Sequence, residues 1–262
     1  MNKQTFGMVF GAEFRRIALR TSTLVAMGIF AVAALLLSFG FVALAQFAAA
    51  NASEEIAVTA PSGLTSLGLP YGLICFLFCI FTAITSAHDY SNGAAAATLV
   101  LVPNRGRLLG ARVAVWGIMG FLQMFVPGII LAIVFMGSMG GLGQALLSVL
   151  LCSCSVSLYG LIVFGVATLV RRGAFAVVIY FLIDIVVPLV MPMASGIPTI
   201  GGALSEATHY MPNAVTMRLA DLTLIGSDTV AWGIAIAASL AWVALVLVLG
   251  RLSFNRYAGK TS

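Results

Sequence analysis

Charge is what this 262-residue sequence has least of: Asp, Glu, Lys and Arg together make up 8% of it. A soluble domain carries about 25% charged residues, so a water-facing globule is excluded. Histidine occurs only as His88 and His209, and neither an H-E-x-x-H nor a G-x-S-x-G pattern is present, which argues against metal or Ser/His catalysis. The cysteines are Cys75, Cys79, Cys152 and Cys154. All fall inside apolar runs without other ligand types beside them, so they read as small buried hydrophobes, not as metal ligands or disulfides. The tail Ala258-Gly259-Lys260-Thr261-Ser262 imitates the end of a phosphate-binding loop, but Phe254 stands where the leading glycine belongs. ATP binding through that motif is excluded. The net charge of +5 would suit nucleic acid only if the basic residues shared a folded face, and here they flank apolar runs instead.

What the sequence does have is apolar length: 61% hydrophobic residues and a mean hydropathy of +1.12. A hydrocarbon core of ~30 Å takes about 20 helical residues to cross. Runs at 23–47, 69–86, 113–136, 144–170, 174–193 and 229–249 meet that length or come close. Lipid offers no partner to an unpaired backbone amide and no alternating barrel pattern is present, so each run must be helical. The expected fold class is an all-α integral membrane protein with six transmembrane helices. All but Arg218 of the 13 Lys and Arg residues fall before the first run, between the second and third, between the fourth and fifth, or after the sixth. That asymmetry predicts a multi-pass protein of the cell membrane with both termini cytoplasmic. Ala43-Leu44-Ala45 resembles a cleavage site, but its apolar run is too long for a signal peptide and reads as an anchor. Asn51-Ala52-Ser53 matches a glycosylation acceptor, a pattern of low specificity.

Residues 1–22 read as an interfacial elbow helix, with Phe6, Phe10, Phe14 and Ile17 at helical spacing and Lys3, Arg15, Arg16 and Arg20 supplying cations. Glu13 falls on that apolar stripe. It either pairs with Arg16 one turn on or makes a polar contact to another element. Residues 188–228 carry Pro188, Pro192, Pro198 and Pro212 and read as a kinked helix end followed by short helices dipping into the outer leaflet. Asp184 is the only acidic residue well inside a run. Such a group faces the bundle interior, a partner or water, as an interhelical contact or on a translocation path.

The remaining punctuated stretch, 88–113, is HDYSNGAAAATLVLVPNRGRLLGARV. Ser91 or Asn92 can cap a short helix over 94–102, and Pro103 ends it. Its apolar side chains suit a groove on a soluble partner, with the arginines holding the segment at the membrane surface. The acidic-aromatic pair Asp89-Tyr90, then Gly93-Ala94, then Pro103-Asn104-Arg105, then Arg112 before the third run is similar to the pattern of the permease subunit of a type-2 ABC exporter. Ala94 and Asn104 depart from the Thr and Ser usual there. His209-Tyr210-Met211-Pro212 resembles the aromatic-x-Pro that precedes the last span in that family.

The resemblance implies a single membrane domain over 1–262, with 88–112 as the cytoplasmic coupling loop. It implies a homodimer, or a heterodimer with a second permease, docked on separate ABC ATPase subunits. ATP and Mg would bind on those subunits, and this chain would carry no cofactor and no catalytic residue. The ATPase contact would fall on Asp89, Tyr90, Asn92, Gly93, Leu99, Leu101, Pro103 and Arg105, and the elbow's polar residues would be Glu13, Arg16 and Arg20. The cargo would be amphipathic: a peptide antibiotic, a drug or a lipid-like molecule. An ion-coupled secondary transporter would instead show an inverted repeat and several intramembrane polar groups. A non-transporting scaffold would need no docking element.

Overall fold

The computed structural model describes residues 5–51, 63–91, 98, 102, 104–135, 141–194, 206–220 and 229–258. All regular structure among them is helical: α1 Phe6–Ile17, α2 Thr21–Asn51, α3 Gly63–Ser91, α4 Arg105–Val134, α5 Leu142–Val170, α6 Gly173–Phe181, a π-helical turn Leu182–Val186, α7 Val187–Ala194, α8 Pro212–Ala220 and α9 Thr229–Ala258. Six stretches are long and apolar enough to cross a membrane: Thr21–Leu44, Pro70–Tyr90, Arg105–Val134, Leu142–Val170, Gly173–Met191 and Trp232–Ser253. The protein is therefore an all-α, multi-pass membrane protein.

Water supplies no hydrophobic drive between helices in lipid, so close contact depends on small residues that let backbones approach. The centre of the bundle, where α3, α4 and α5 meet, is built this way. The Phe78 ring fills the space over two glycines: a Cβ on Gly120 would lie 2.9 Å from it and one on Gly160 2.5 Å. Ser157 then donates to the Gly117 carbonyl at 2.8 Å, tying α5 to α4. Farther along the same pair, Gly128 receives Val149, while Gly165 receives Val246 of α9. These contacts run antiparallel between α4 and α5 and parallel between α5 and α9. The outer helices are loosely covered: only 11% of the residues in the most apolar stretch of α2 are buried, and the same share in that of α6–α7. A polar tie reaches α2 where the buried Gln123 amide donates to the Met27 carbonyl at 3.1 Å.

Several sequence-based boundaries shift. α3 begins at Gly63, ahead of the apolar run at 69–86, and runs through Pro70. It also continues through Ser91, so Asp89 and Tyr90 sit on its last turn and not in a loop. Asp89 is held on that last turn by its ion pair with Arg16, which ties the end of α3 to α1. Arg105, Arg107 and Arg112 likewise belong to the first turns of α4, whose N-cap Asn104 accepts from the Arg107 amide through its side chain at 3.2 Å. The buried stripe of α1 is Val9, Glu13 and Ile17, whereas Phe6 is exposed and Phe10 and Phe14 are half-buried. The phenylalanines stack along the helix side instead, at 6.4 and 5.9 Å between ring centroids. Of the cysteines, Cys75, Cys79 and Cys152 are buried but Cys154 is exposed. Two residues turn a helix by about 200°, so Cys152 facing the core sends Cys154 outward.

Candidate functional site

The described polar residues gather most densely where α1 crosses the ends of α3 and α4. A short corner at Ala18–Arg20 joins α1 to α2 and lets α1 fold back over the start of α4, so that Gly110 lies under the Phe6 ring. Val9, Tyr90, Leu108 and Ala111 form a small apolar core there, with Phe10 and Val102 packed on it. Beside this core four charges meet. Arg16 donates to Glu13 at 2.8 and 3.1 Å and, in fork geometry, to both carboxylate oxygens of Asp89 at 3.0 and 2.8 Å. Arg112 sets its Nε 3.4 Å from Glu13, close enough for charge pairing but not aligned as a hydrogen bond, and its Nη2 3.8 Å from Asp89. Arg112 also donates to the Thr98 hydroxyl at 3.3 Å.

Two anions thus face two cations, and the sum is neutral. Burial disfavours the Arg16 cation, but the hydrogen bonds and charges of Asp89 and Glu13 more than offset this and hold its pKa above the ordinary value. Arg112 and Glu13 are the deeply buried pair, with side chains 3% and 5% exposed. Both sequence readings of Glu13 hold at once: it pairs with Arg16 one turn on, and it reaches a second element through Arg112. Arg112 itself does not anchor the segment at a membrane surface, because its guanidinium turns inward onto the two carboxylates.

Of the remaining sequence-derived candidates, Tyr90 joins the small apolar core, Arg105 opens α4, and Arg20 stays exposed at the corner outside the cluster. Asn92, Gly93, Leu99, Leu101 and Pro103 lie outside the described residues, as does most of 94–102. Within that range the Val102 amide donates to the Thr98 carbonyl at 2.9 Å, a single helical bond. At the same end of the bundle Arg171 takes a left-handed conformation (φ 60°) that ends α5, and its guanidinium reaches Ser253 of α9, 2.6 Å from the hydroxyl.

Asp184 sits in the π-helical turn. Pro188 has no N–H for the Asp184 carbonyl and its ring crowds that carbonyl, so the helix widens, and the Val187 amide bonds back to Leu182. The carboxylate points between helices: the Tyr159 hydroxyl of α5 donates to one oxygen and the Tyr180 hydroxyl to the other, the latter at 3.1 Å. Nearby, the Tyr71 hydroxyl meets Ser155 at 2.7 Å, and Ser155 donates to the Thr216 carbonyl of α8, seating that short helix in the bundle. α8 also offers the Tyr210 carbonyl just before it to the Trp242 indole at 2.8 Å, which fixes the His209–Pro212 turn against α9.

Sequence reasoning missed the Arg112 ion pairs and the two tyrosines. Tyr180 was readable at one turn's spacing from Asp184, but Tyr159 comes from a different helix and left no local signal. Among the described residues no group of three or more His, Cys, Asp or Glu side chains is placed to hold a metal ion. No family model and no curated protein matches the chain.

Proposed function

We propose that this chain is the membrane permease subunit of an ATP-driven exporter, with the nucleotide-binding chemistry on separate ATPase subunits. One observation carries the reading: the Glu13–Arg16–Asp89–Arg112 cluster, which locks an amphipathic N-terminal helix to the two helix ends that frame residues 92–103. A subunit driven by a soluble motor must pass force from an exposed segment into its spans, and differential contact in two states is the only way to do so. A neutral, mutually bonded set of charges at that joint moves elbow, α3 and α4 together. The segment's sequence, apolar between Ala94 and Val102 and closed by Pro103, suits a groove on such a motor.

The positive-inside asymmetry supports placing this end, and both termini, in the cytoplasm, and the cell membrane as the location. The thinly covered faces of α2 and α6–α7 suit lipid or a second permease. In this reading the chain catalyses nothing, binds no cofactor, and moves an amphipathic cargo while ATP and Mg bind the partner. The test is purification of the tagged chain from its native membranes in mild detergent. The expected result is a stoichiometric companion with a phosphate-binding loop, and MgATP hydrolysis that follows the pair through size exclusion. A chain that purifies alone under conditions preserving its fold, with no hydrolysis in the fraction, contradicts the proposal.

A further inference from the structure

We propose that Asp184, with Phe76, Tyr159, Tyr180 and Phe181, forms an intramembrane site for the cationic head of an amphiphile such as a lipophilic ammonium compound. Tyr180, Phe181 and Asp184 share one side of the α6 and π-helical stretch through their spacing of one turn. Phe76 of α3 closes on them, 6.2 Å from the Tyr180 ring and 5.6 Å from the Phe181 ring. Tyr159 lies 6.1 Å from Tyr180, and Tyr180 lies 5.8 Å from Phe181. Ring faces carry negative quadrupole charge, so a carboxylate held by the Tyr159 and Tyr180 hydroxyls, with the Phe76 and Phe181 rings packed on Tyr180, attracts a cation more strongly than a carboxylate alone.

Depth gives the carboxylate a reason to need one. Phe76 and Asp89 of α3 are thirteen positions apart, or about 20 Å of helix, which places Asp184 inside the hydrocarbon and far from the charge cluster. No Lys, Arg or His among the described residues pairs with it. Two phenol hydrogen bonds satisfy both oxygens but supply no opposite charge, and an ion in lipid is stabilised chiefly by a counter-ion. The group is also reachable: Asp184 is half-buried, and its neighbours Leu182, Ile185 and Val186 are 46%, 42% and 42% exposed. A cation entering sideways from the bilayer can meet the carboxylate while its tail stays along the apolar face of α7.

The cargo role of this site rests on the export reading, but the binding does not, so the test uses the full chain in zwitterionic nanodiscs without any ATPase. The probe is radiolabelled dodecyltrimethylammonium below its micellar concentration, with uptake by empty discs subtracted and dodecanol as the uncharged competitor. Saturable binding that dodecanol does not displace is expected. Asp184→Asn should weaken it by about tenfold or more, the size of a lost charge-assisted contact. Phe181→Leu, which keeps the carboxylate, should weaken it by about threefold. Should the Asn variant not fold, the Phe181→Leu series and the dodecanol competition decide alone. Equal displacement by dodecanol, or unchanged affinity in the variants, overturns the proposal. So does an Asp184→Asn variant that changes oligomeric state but not cation binding, which would make the carboxylate a contact between copies. Loss of the export reading through failed ATPase recovery leaves these binding results standing.

Discussion

Substituting Glu13 by Gln keeps the shape of the elbow joint and removes one of its two negative charges. The buried Arg112 cation, 3% exposed and 3.4 Å from Glu13, then loses its nearest anion. At that 3.4 Å separation and an effective dielectric of ~20 the Coulomb attraction is about 5 kcal/mol, much of it offset by desolvating both ions. Removing one partner of a buried pair costs about 3–5 kcal/mol. Asp89 still lies 3.8 Å from Arg112, so the lower end, about 3 kcal/mol, applies. Asp89→Asn should cost less, about 1 kcal/mol, because the Arg16–Asp89 side chains are 32% and 21% exposed and water screens them. Hydrogen exchange of the Phe6–Ile17 amides reads the local opening directly. Exchange in Glu13→Gln should rise by about two orders of magnitude, and in Asp89→Asn by about fivefold. The double variant Glu13→Gln/Arg112→Met, which removes both buried charges, should recover most of the loss. A larger effect from Asp89→Asn, or a double variant no better than Glu13→Gln, would refute the argument that the buried pair holds the joint.

In a Cys154→Ala background, a cysteine at Glu54 should react with an impermeant maleimide from outside the cell and one at Arg107 only after permeabilisation; external labelling at Arg107 would reverse the orientation. Asp184→Leu strips acceptors from two buried phenols, about 1 kcal/mol each by intramembrane measures, and should lower the thermal midpoint in detergent, whereas Asp184→Asn should stay near wild type. Equal midpoints for the Leu and wild-type proteins would mean those bonds contribute nothing. Gly160→Ala sets a Cβ 2.5 Å from the Phe78 ring and should destabilise the bundle by about 1–3 kcal/mol, with Phe78→Leu in the same chain relieving part of it. If the second change adds to the damage, the ring is not what the glycine accommodates.

The spans were legible because hydrocarbon thickness and backbone satisfaction leave a long apolar run one choice, and the shifts are confined to ends such as Gly63 and Ser91. The elbow was legible from its charges and helical spacing, and Glu13 stood out as an acid on an apolar stripe. Its partner Arg112 was not, since nothing local distinguishes an arginine that turns inward onto two carboxylates from one that snorkels toward water. Pro188 signals a disturbed helix, but periodicity does not tell the bend that a proline suggests from the widened turn found at Leu182–Val186. The Phe78–Gly120–Gly160 contact was invisible for a simpler reason: glycines are frequent here, 27 in all, and only the crossing of three helices selects those that a ring covers.

The export reading stands or falls on what touches residues 92–103. A photoreactive benzoylphenylalanine in place of Leu99, irradiated in native membranes, reports that contact before any purification. The expected adduct is this chain joined to a nucleotide-binding subunit through a peptide of that subunit's surface, identified by mass spectrometry and weakened when MgATP is depleted. Adducts with lipid or with this chain alone, from a protein whose topology and elbow exchange match the wild type, would contradict a docked ATPase.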